Sequence, residues 1–176
     1  MDQLDFNKLW QNFTDIIAKH YVDFDGRTGR AQFWWYIAVY TALAVLISII
    51  GSITFTGGGL RALYWLALLL PTLGITSRRL HDTGRTASWV LLLAVPWVLT
   101  IFMGLVTFLS FMTFGLLGVL FVFWPIIGLA SLAAVLVLIY FCAQPGTAGP
   151  NEYGPVPAAW TPHGTPAAPA TPPPAA

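Results

Sequence analysis

The 176 residues predict an all-α, multi-pass transmembrane protein with four spans and an amphipathic N-terminal helix. Three observations carry that expectation. Apolar residues make up 57% of the chain and charged residues only 9%, against about 25% charged in soluble domains. Residues 86–151 contain no Asp, Glu, Lys or Arg, a run of 66 positions, whereas one bilayer-spanning helix needs only about 20 apolar residues. The basic residues are also one-sided once the spans are drawn, as shown below.

Composition excludes several function classes. A net charge of +1 gives no basic footprint for nucleic acid, which requires Lys and Arg in clustered excess. The single cysteine, Cys142, forbids an internal disulfide and a cysteine-based metal site. A lone thiol near the end of a span reads as a small apolar filler.

Residues 1–24 form the first unit. Phe6, Leu9, Trp10, Phe13, Ile16, Ile17, His20, Tyr21 and Phe24 recur at helical spacing, with Asp5, Lys8, Asp15 and Lys19 between them. The pattern predicts an amphipathic helix. It lies either in the cytoplasmic headgroup region or packed on the cytoplasmic loops. No secretory signal is expected, because the first apolar stretch begins only at Phe33, after an acidic and aromatic segment.

The transmembrane unit covers residues 25–154. Its spans are read at about 33–54, 60–77, 87–109 and 115–142. The second contains Pro71 and Gly74, which predict a kink. Gly57-Gly58-Gly59 reads as a flexible hairpin turn before it. Between residues 87 and 142, Pro96-Trp97 and Trp124-Pro125 also fit three short passes or a re-entrant pair, and two passes are preferred. Four spans put Lys8, Lys19, Arg27, Arg30, Arg78, Arg79 and Arg85 on one side and Arg61 alone on the other. The positive-inside rule then makes both termini cytoplasmic. Residues 155–176 hold 8 of the 13 prolines and predict a disordered, polyproline-leaning tail.

A Thr-Gly-Arg-x-x-x-Trp string occurs twice, at Thr28–Trp34 and Thr83–Trp89. A parallel repeat of two hairpins would produce it. So would the ordinary preference for a turn, a basic residue and an interfacial Trp where a span starts, and this plainer reading is favoured.

Three motifs resemble a known family. Phe24-Asp25-Gly26-Arg27-Thr28-Gly29-Arg30-Ala31-Gln32-Phe33-Trp34 resembles its F-x-G-R-x-x-R-x-x-[FY]-W opening. Residues Arg78-Arg79-Leu80-His81-Asp82-Thr83-Gly84-Arg85-Thr86-Ala87-Ser88-Trp89 resemble its central R-R-L-H-D-x-x-R-S-x-W-W, with Val90 in place of the second Trp. Pro145–Pro155 matches its P-G-T-x-G-x-N-x-[YF]-G-P. The family is the bacterial domain-of-unknown-function family 805, which includes the YhaH-like small inner-membrane proteins. The resemblance implies a multi-pass inner-membrane protein and carries no activity with it.

The candidate site is therefore argued from side chains: Asp25, Arg27, Arg30, Arg78, Arg79, His81, Asp82 and Arg85. At headgroup depth these arginines could grip lipid phosphate bidentately, with Asp25 and Asp82 orienting them. The plainer alternative is a topology-fixing loop, with Asp82 or Thr83 capping the third span and Asp–Arg pairs tying two hairpins together. No metal or cofactor is expected, since His81 and Asp82 have only His20 and His163 as further histidines. No span carries a buried Asp, Glu, Lys, Arg or His, since Arg61 lies at the edge of the second, which argues against an ion pathway.

The leading functional expectation is a non-enzymatic membrane component. Its expected partners are membrane lipids, with a second copy of the chain or another membrane protein as the candidate protein partner. A small transporter or lipid translocator built on Pro-kinked helices is the alternative. A membrane enzyme acting on a lipid phosphate, with His81 and Asp82 as acid and base, ranks last.

Overall fold

The computed structural model describes residues 5–54, 56–112 and 123–160. The secondary structure is helical: α1 (Phe6–Lys19), α2 (Arg30–Ile53), α3 (Gly57–Asp82), a 3-10 turn (Ala87–Val90), α4 (Leu91–Met112) and α5 (Phe123–Ala143). Among the described residues, three helices are long and apolar enough to cross a membrane: α2, α3 and α5. The chain is an integral membrane protein with several helical passes.

Helix α1 starts where the Asp5 carboxylate accepts the Asn7 amide at 2.9 Å, an N-cap that satisfies one orphan donor of the first turn. It buries Leu9, Asn12, Phe13 and Ile16. The Phe13 ring stacks on Tyr36 of α2 with centroids 5.4 Å apart, and Asn12 Nδ2 donates to the Gln32 carbonyl at 3.1 Å. Phe6 and Trp10 remain 79% and 53% exposed. The helix therefore packs on α2 and α3 and still presents an aromatic edge outward.

Helices α2 and α3 form an antiparallel hairpin held by tyrosines. Tyr36 Oη and Thr72 Oγ1 lie 2.9 Å apart, and Tyr64 Oη donates to the Tyr40 carbonyl at 2.7 Å. The core below α1 gathers Phe13, Ile16, Phe33, Tyr36, Leu68, Ile75 and Cys142. Cys142 is thus a buried filler where α5 meets this hairpin.

Two helix limits and one cap differ from the sequence expectation. Gly57–Gly59 form the first turn of α3 instead of a loop. At its other end α3 runs five residues past the expected limit at Ser77, through Arg78, Arg79, His81 and Asp82. Those side chains stay helical because hydrogen-bond partners from other segments meet them. The third span opens with the 3-10 turn, and its N-cap Thr86 makes no side-chain capping bond.

Helices α4 and α5 pack against each other. Helix α4 stays helical through Pro96. Pro125 sits in the first turn of α5, where its missing N–H costs nothing. The expected start of the fourth span at residue 115 lies outside the described residues. So does the tail beyond residue 160.

Candidate functional site: an arginine–aspartate clasp

The three sequence motifs meet at one end of the helices. The C-terminus of α3 is closed by a Schellman motif. Gly84 N–H donates to the His81 carbonyl at 3.0 Å and Arg85 N–H to the Leu80 carbonyl at 2.9 Å. Gly84 makes this possible at φ +71°, a left-handed conformation that glycine adopts without steric cost. The Asp82 carboxylate is left pointing inward.

Asp82 is the centre of the arrangement, with a side chain 5% exposed. Arg27 reaches its Oδ1 with Nε at 3.0 Å and Nη2 at 2.9 Å. Arg79 Nη1 donates to Oδ2 from one turn back on α3. One carboxylate thus bridges two guanidiniums, and backbone carbonyls accept the remaining N–H groups of Arg27 and three of those of Arg79.

Arg27 Nη1 donates to Gly149 O at 2.8 Å and Gly154 O at 3.3 Å, and Nη2 to Thr147 O at 2.9 Å. All five N–H donors of Arg27 are therefore used inside the protein. Arg79 Nε donates to Cys142 O at 2.9 Å, Nη2 to Gln144 O, and Nη1 also to Thr28 O at 3.5 Å. Arg79 thereby sits on the C-terminal carbonyls of α5, the negative end of that helix dipole.

The C-terminal segment closes over this pair. Thr147 N–H donates to Asp82 O at 2.8 Å, and Asn151 Nδ2 donates to His81 O at 2.9 Å. A tight turn pairs Asn151 and Gly154 through two 3.0 Å bonds. The Tyr153 ring stacks flat on His81 with centroids 3.9 Å apart. His81 Nδ1–H donates to Gly26 O at 3.1 Å, so a proton on Nδ1 serves this contact. Gly146 passes so close to Asp82 that a Cβ there would overlap the carboxylate.

A second, smaller cluster lies beside the first. Asp23 Oδ2 is 2.6 Å from His20 Nδ1 and 3.5 Å from Arg78 Nη1. Burial pushes the Asp23 carboxyl up, but the His20 hydrogen bond and the Arg78 charge outweigh it and hold it below the usual carboxylate value. Arg78 is less well served, since its Nε and Nη2 are buried without a partner among the described residues. The backbone at Asp23 crosses α3 at Gly74, where a Cβ would stand 2.8 Å from Asp23 O. Glycine is required there by the close approach.

The structure brings Arg27, Arg79, His81 and Asp82 into one buried network. Arg85 lies at its edge, its guanidinium 4.1 Å above the Phe141 ring. Arg30 is exposed and lines a cavity of about 450 Å³ with Gln32, Ala148 and Trp160. Asp25 is exposed as well, and its backbone N–H donates to Asp23 Oδ1 at 3.3 Å. Thr83, expected as a cap for the third span, turns its hydroxyl back to Leu80 O at 2.9 Å.

The sequence reading left out Asp23, Thr147, Gly149, Asn151, Tyr153 and Gly154. The last five lie inside the third motif, and that motif was the signal for them. Among the described residues no group of three or more His, Cys, Asp or Glu gathers as a metal site would require.

The chain is 30% identical over 139 residues to inner membrane protein YhaI of Escherichia coli (strain K12), covering 78% of this chain and 88% of that protein. It is 31% identical over 146 residues to inner membrane protein YhaH of the same strain, covering 80% and 92%. It is also 33% identical over 135 residues to uncharacterized protein YiiR, covering 74% and 83%. No solved structure matches the chain. The model of a family described as a protein of unknown function, DUF805, matches residues 21–155, an interval that holds the whole clasp from Arg27 to Gly154. On that match and those relatives, the chain belongs to the DUF805 family of bacterial inner-membrane proteins.

Proposed function

We propose that the chain is a non-enzymatic component of the inner membrane whose basic rim engages anionic lipid headgroups. It crosses four times with both termini in the cytoplasm. Helix α4 supports the four-pass reading, because its 22 residues extend about 33 Å, close to the ~30 Å of bilayer hydrocarbon. Orientation rests on the cations, with seven of eight at the clasp end and Arg61 at the other.

The observation that carries the functional reading is how the arginines are used. Arg27 spends all five donors on Asp82 and on backbone carbonyls, with its side chain 1% exposed. A buried and saturated guanidinium has nothing left for a phosphate or a substrate. The clasp is accordingly a structural lock, and headgroup contact falls to Arg30, exposed at the mouth of its cavity, and to Arg85 at the edge. Basic side chains in the headgroup layer attract anionic lipid by about 1 kcal/mol each.

Lipid that co-purifies with the protein from nanodiscs of mixed phosphatidylglycerol and phosphatidylcholine tests this reading. The Arg30→Gln/Arg85→Gln variant should insert normally and lose its enrichment in phosphatidylglycerol by roughly 25-fold, the product of two such contacts at about fivefold each. An unchanged lipid complement in that variant would refute the reading. A co-purifying protein in place of lipid would refute it too.

A further inference from the structure

At the opposite end of α3 from the clasp, a cavity of about 530 Å³ opens between α2 and α3. Its walls include Val45, Ile49, Ile53 and Trp65, and Arg61 stands at its end. Arg61 has no hydrogen-bond or ion-pair partner among the described residues. We infer that this groove holds one anionic glycerophospholipid of the leaflet remote from the clasp, with its phosphate on Arg61 and one acyl chain along α2.

Chemistry and dimensions both select that occupant. The hydroxyls of Thr41, Ser48 and Ser52 face the groove, yet each donates to a carbonyl of its own helix, at Ile37, Ala44 and Ser48, over 2.8 Å. No wall hydroxyl is left to donate to a polar ligand, so the groove suits a hydrocarbon chain. The single unpaired cation at one end selects an acidic head.

Residues 41–53 of α2 extend about 18 Å, slightly more than one leaflet of the ~30 Å hydrocarbon layer. Arg61 stands 17 residues before Arg78 on the same helix, or about 26 Å along its axis. That spacing falls about 4 Å short of the hydrocarbon layer, a gap the long Arg61 side chain covers by extending its guanidinium into one headgroup layer when Arg78 is at the other. The first turn of α3, beside Arg61, has no side-chain cap, and its amides favour an anion at the same spot.

The site is separate from the rim formed by Arg30 and Arg85, and the experiment keeps the two apart. The full chain is reconstituted in phosphatidylcholine nanodiscs with a trace of phosphatidylglycerol carrying a photoactivatable group on its acyl chain. Cross-links are then mapped by peptide mass spectrometry. Labelling should concentrate on residues 41–53 and 61–65. It should fall about fivefold in Arg61→Gln and by a similar factor when the probe headgroup is phosphatidylcholine. Ala44→Phe, which fills the slot while leaving Arg61 in place, should lower it as well.

Arg30→Gln/Arg85→Gln should leave labelling of these residues unchanged, whatever it does to bulk lipid enrichment. Equal labelling by both headgroups would overturn the inference. So would indifference to Arg61→Gln, or a cross-link joining the grooves of two copies of the chain.

Discussion

Three arginines within reach of two carboxylates have three different environments, and their substitutions should differ accordingly. Arg79 directs four of its N–H groups at fixed acceptors on Asp82, Cys142, Gln144 and Thr28. A lysine there keeps the charge but cannot reproduce the planar fork. Among the described residues, Arg78 pairs only with Asp23 at 3.5 Å and leaves two buried donors unmatched. A lysine there keeps that pair and removes the buried Nε. Arg79→Lys should lower unfolding stability in detergent by about 2 kcal/mol or more, and Arg78→Lys by less than about 1 kcal/mol. Equal losses would mean that the directed bonds of Arg79 contribute nothing beyond charge.

The sequence identified the arginines and Asp82 because their residue types are conspicuous at a span end. It paired the wrong aspartate, Asp25, with the guanidiniums. Asp23 and Asp25 are two residues apart, and which one faces α3 depends on the path by which the chain crosses Gly74 and then turns at Gly26, at φ +80°. No spacing rule encodes that path.

Helix α1 illustrates how one element is held and how pH should release it. Its apolar face is fixed by Phe13 and Ile16 in the core, and the chain after it is tied down by the His20–Asp23–Arg78 contacts. The Asp23 carboxyl titrates below its ordinary value of 3.8. A depressed carboxylate contributes stability that is complete above its unfolded value and is lost as pH falls through the folded one. Amide exchange in residues 6–24 should therefore accelerate as pH drops below about 4, after correction for intrinsic rates, and Asp23→Asn should exchange faster at neutral pH with little further acid response. An acid response that survives in Asp23→Asn would assign the titration elsewhere.

The limits of the helices were harder to read than their existence. Period and hydropathy located α1, α2 and the body of α3. The span expected to end near Ser77 continues as helix α3 through Asp82, although four of the next five residues are charged or ionisable. They are compatible with the helix because distant segments partner them: the Cys142 and Gln144 carbonyls, more than 60 positions away, accept from Arg79, and Arg27, 55 positions away, donates to Asp82. Local sequence cannot announce partners at that separation.

Taken together, the helices form two hairpins fastened at one end. Helices α2 and α3 pair through tyrosine bonds, α4 and α5 pack on each other, and the clasp joins the end of α5 to the end of α3 and the entry to α2. Away from the clasp, large apolar side chains such as Leu66, Ile101, Phe108, Leu129 and Leu132 are exposed, as suits a surface bathed in lipid. A cysteine placed at exposed Ala148 should react with an impermeant maleimide only in inverted vesicles, and one at exposed Thr56 only in intact spheroplasts. The opposite pattern would invert the protein and remove the basis of the cytoplasmic lipid contacts.

This general architecture was legible in the sequence because lipid dictates long apolar runs and the cations are one-sided. That the third motif forms the lid over the first two was not, since motif order along a chain carries no distance in space.

A double-mutant cycle on Arg27 and Asp82, read as unfolding stability in detergent, tests the clasp most directly. Each side chain is almost wholly buried, so Arg27→Gln and Asp82→Asn should each lower stability by about 3–5 kcal/mol. The double variant should lose clearly less than the sum of the two, with a coupling of about 1–3 kcal/mol. Additive losses would show that the two residues do not act on each other, and the clasp would be wrong.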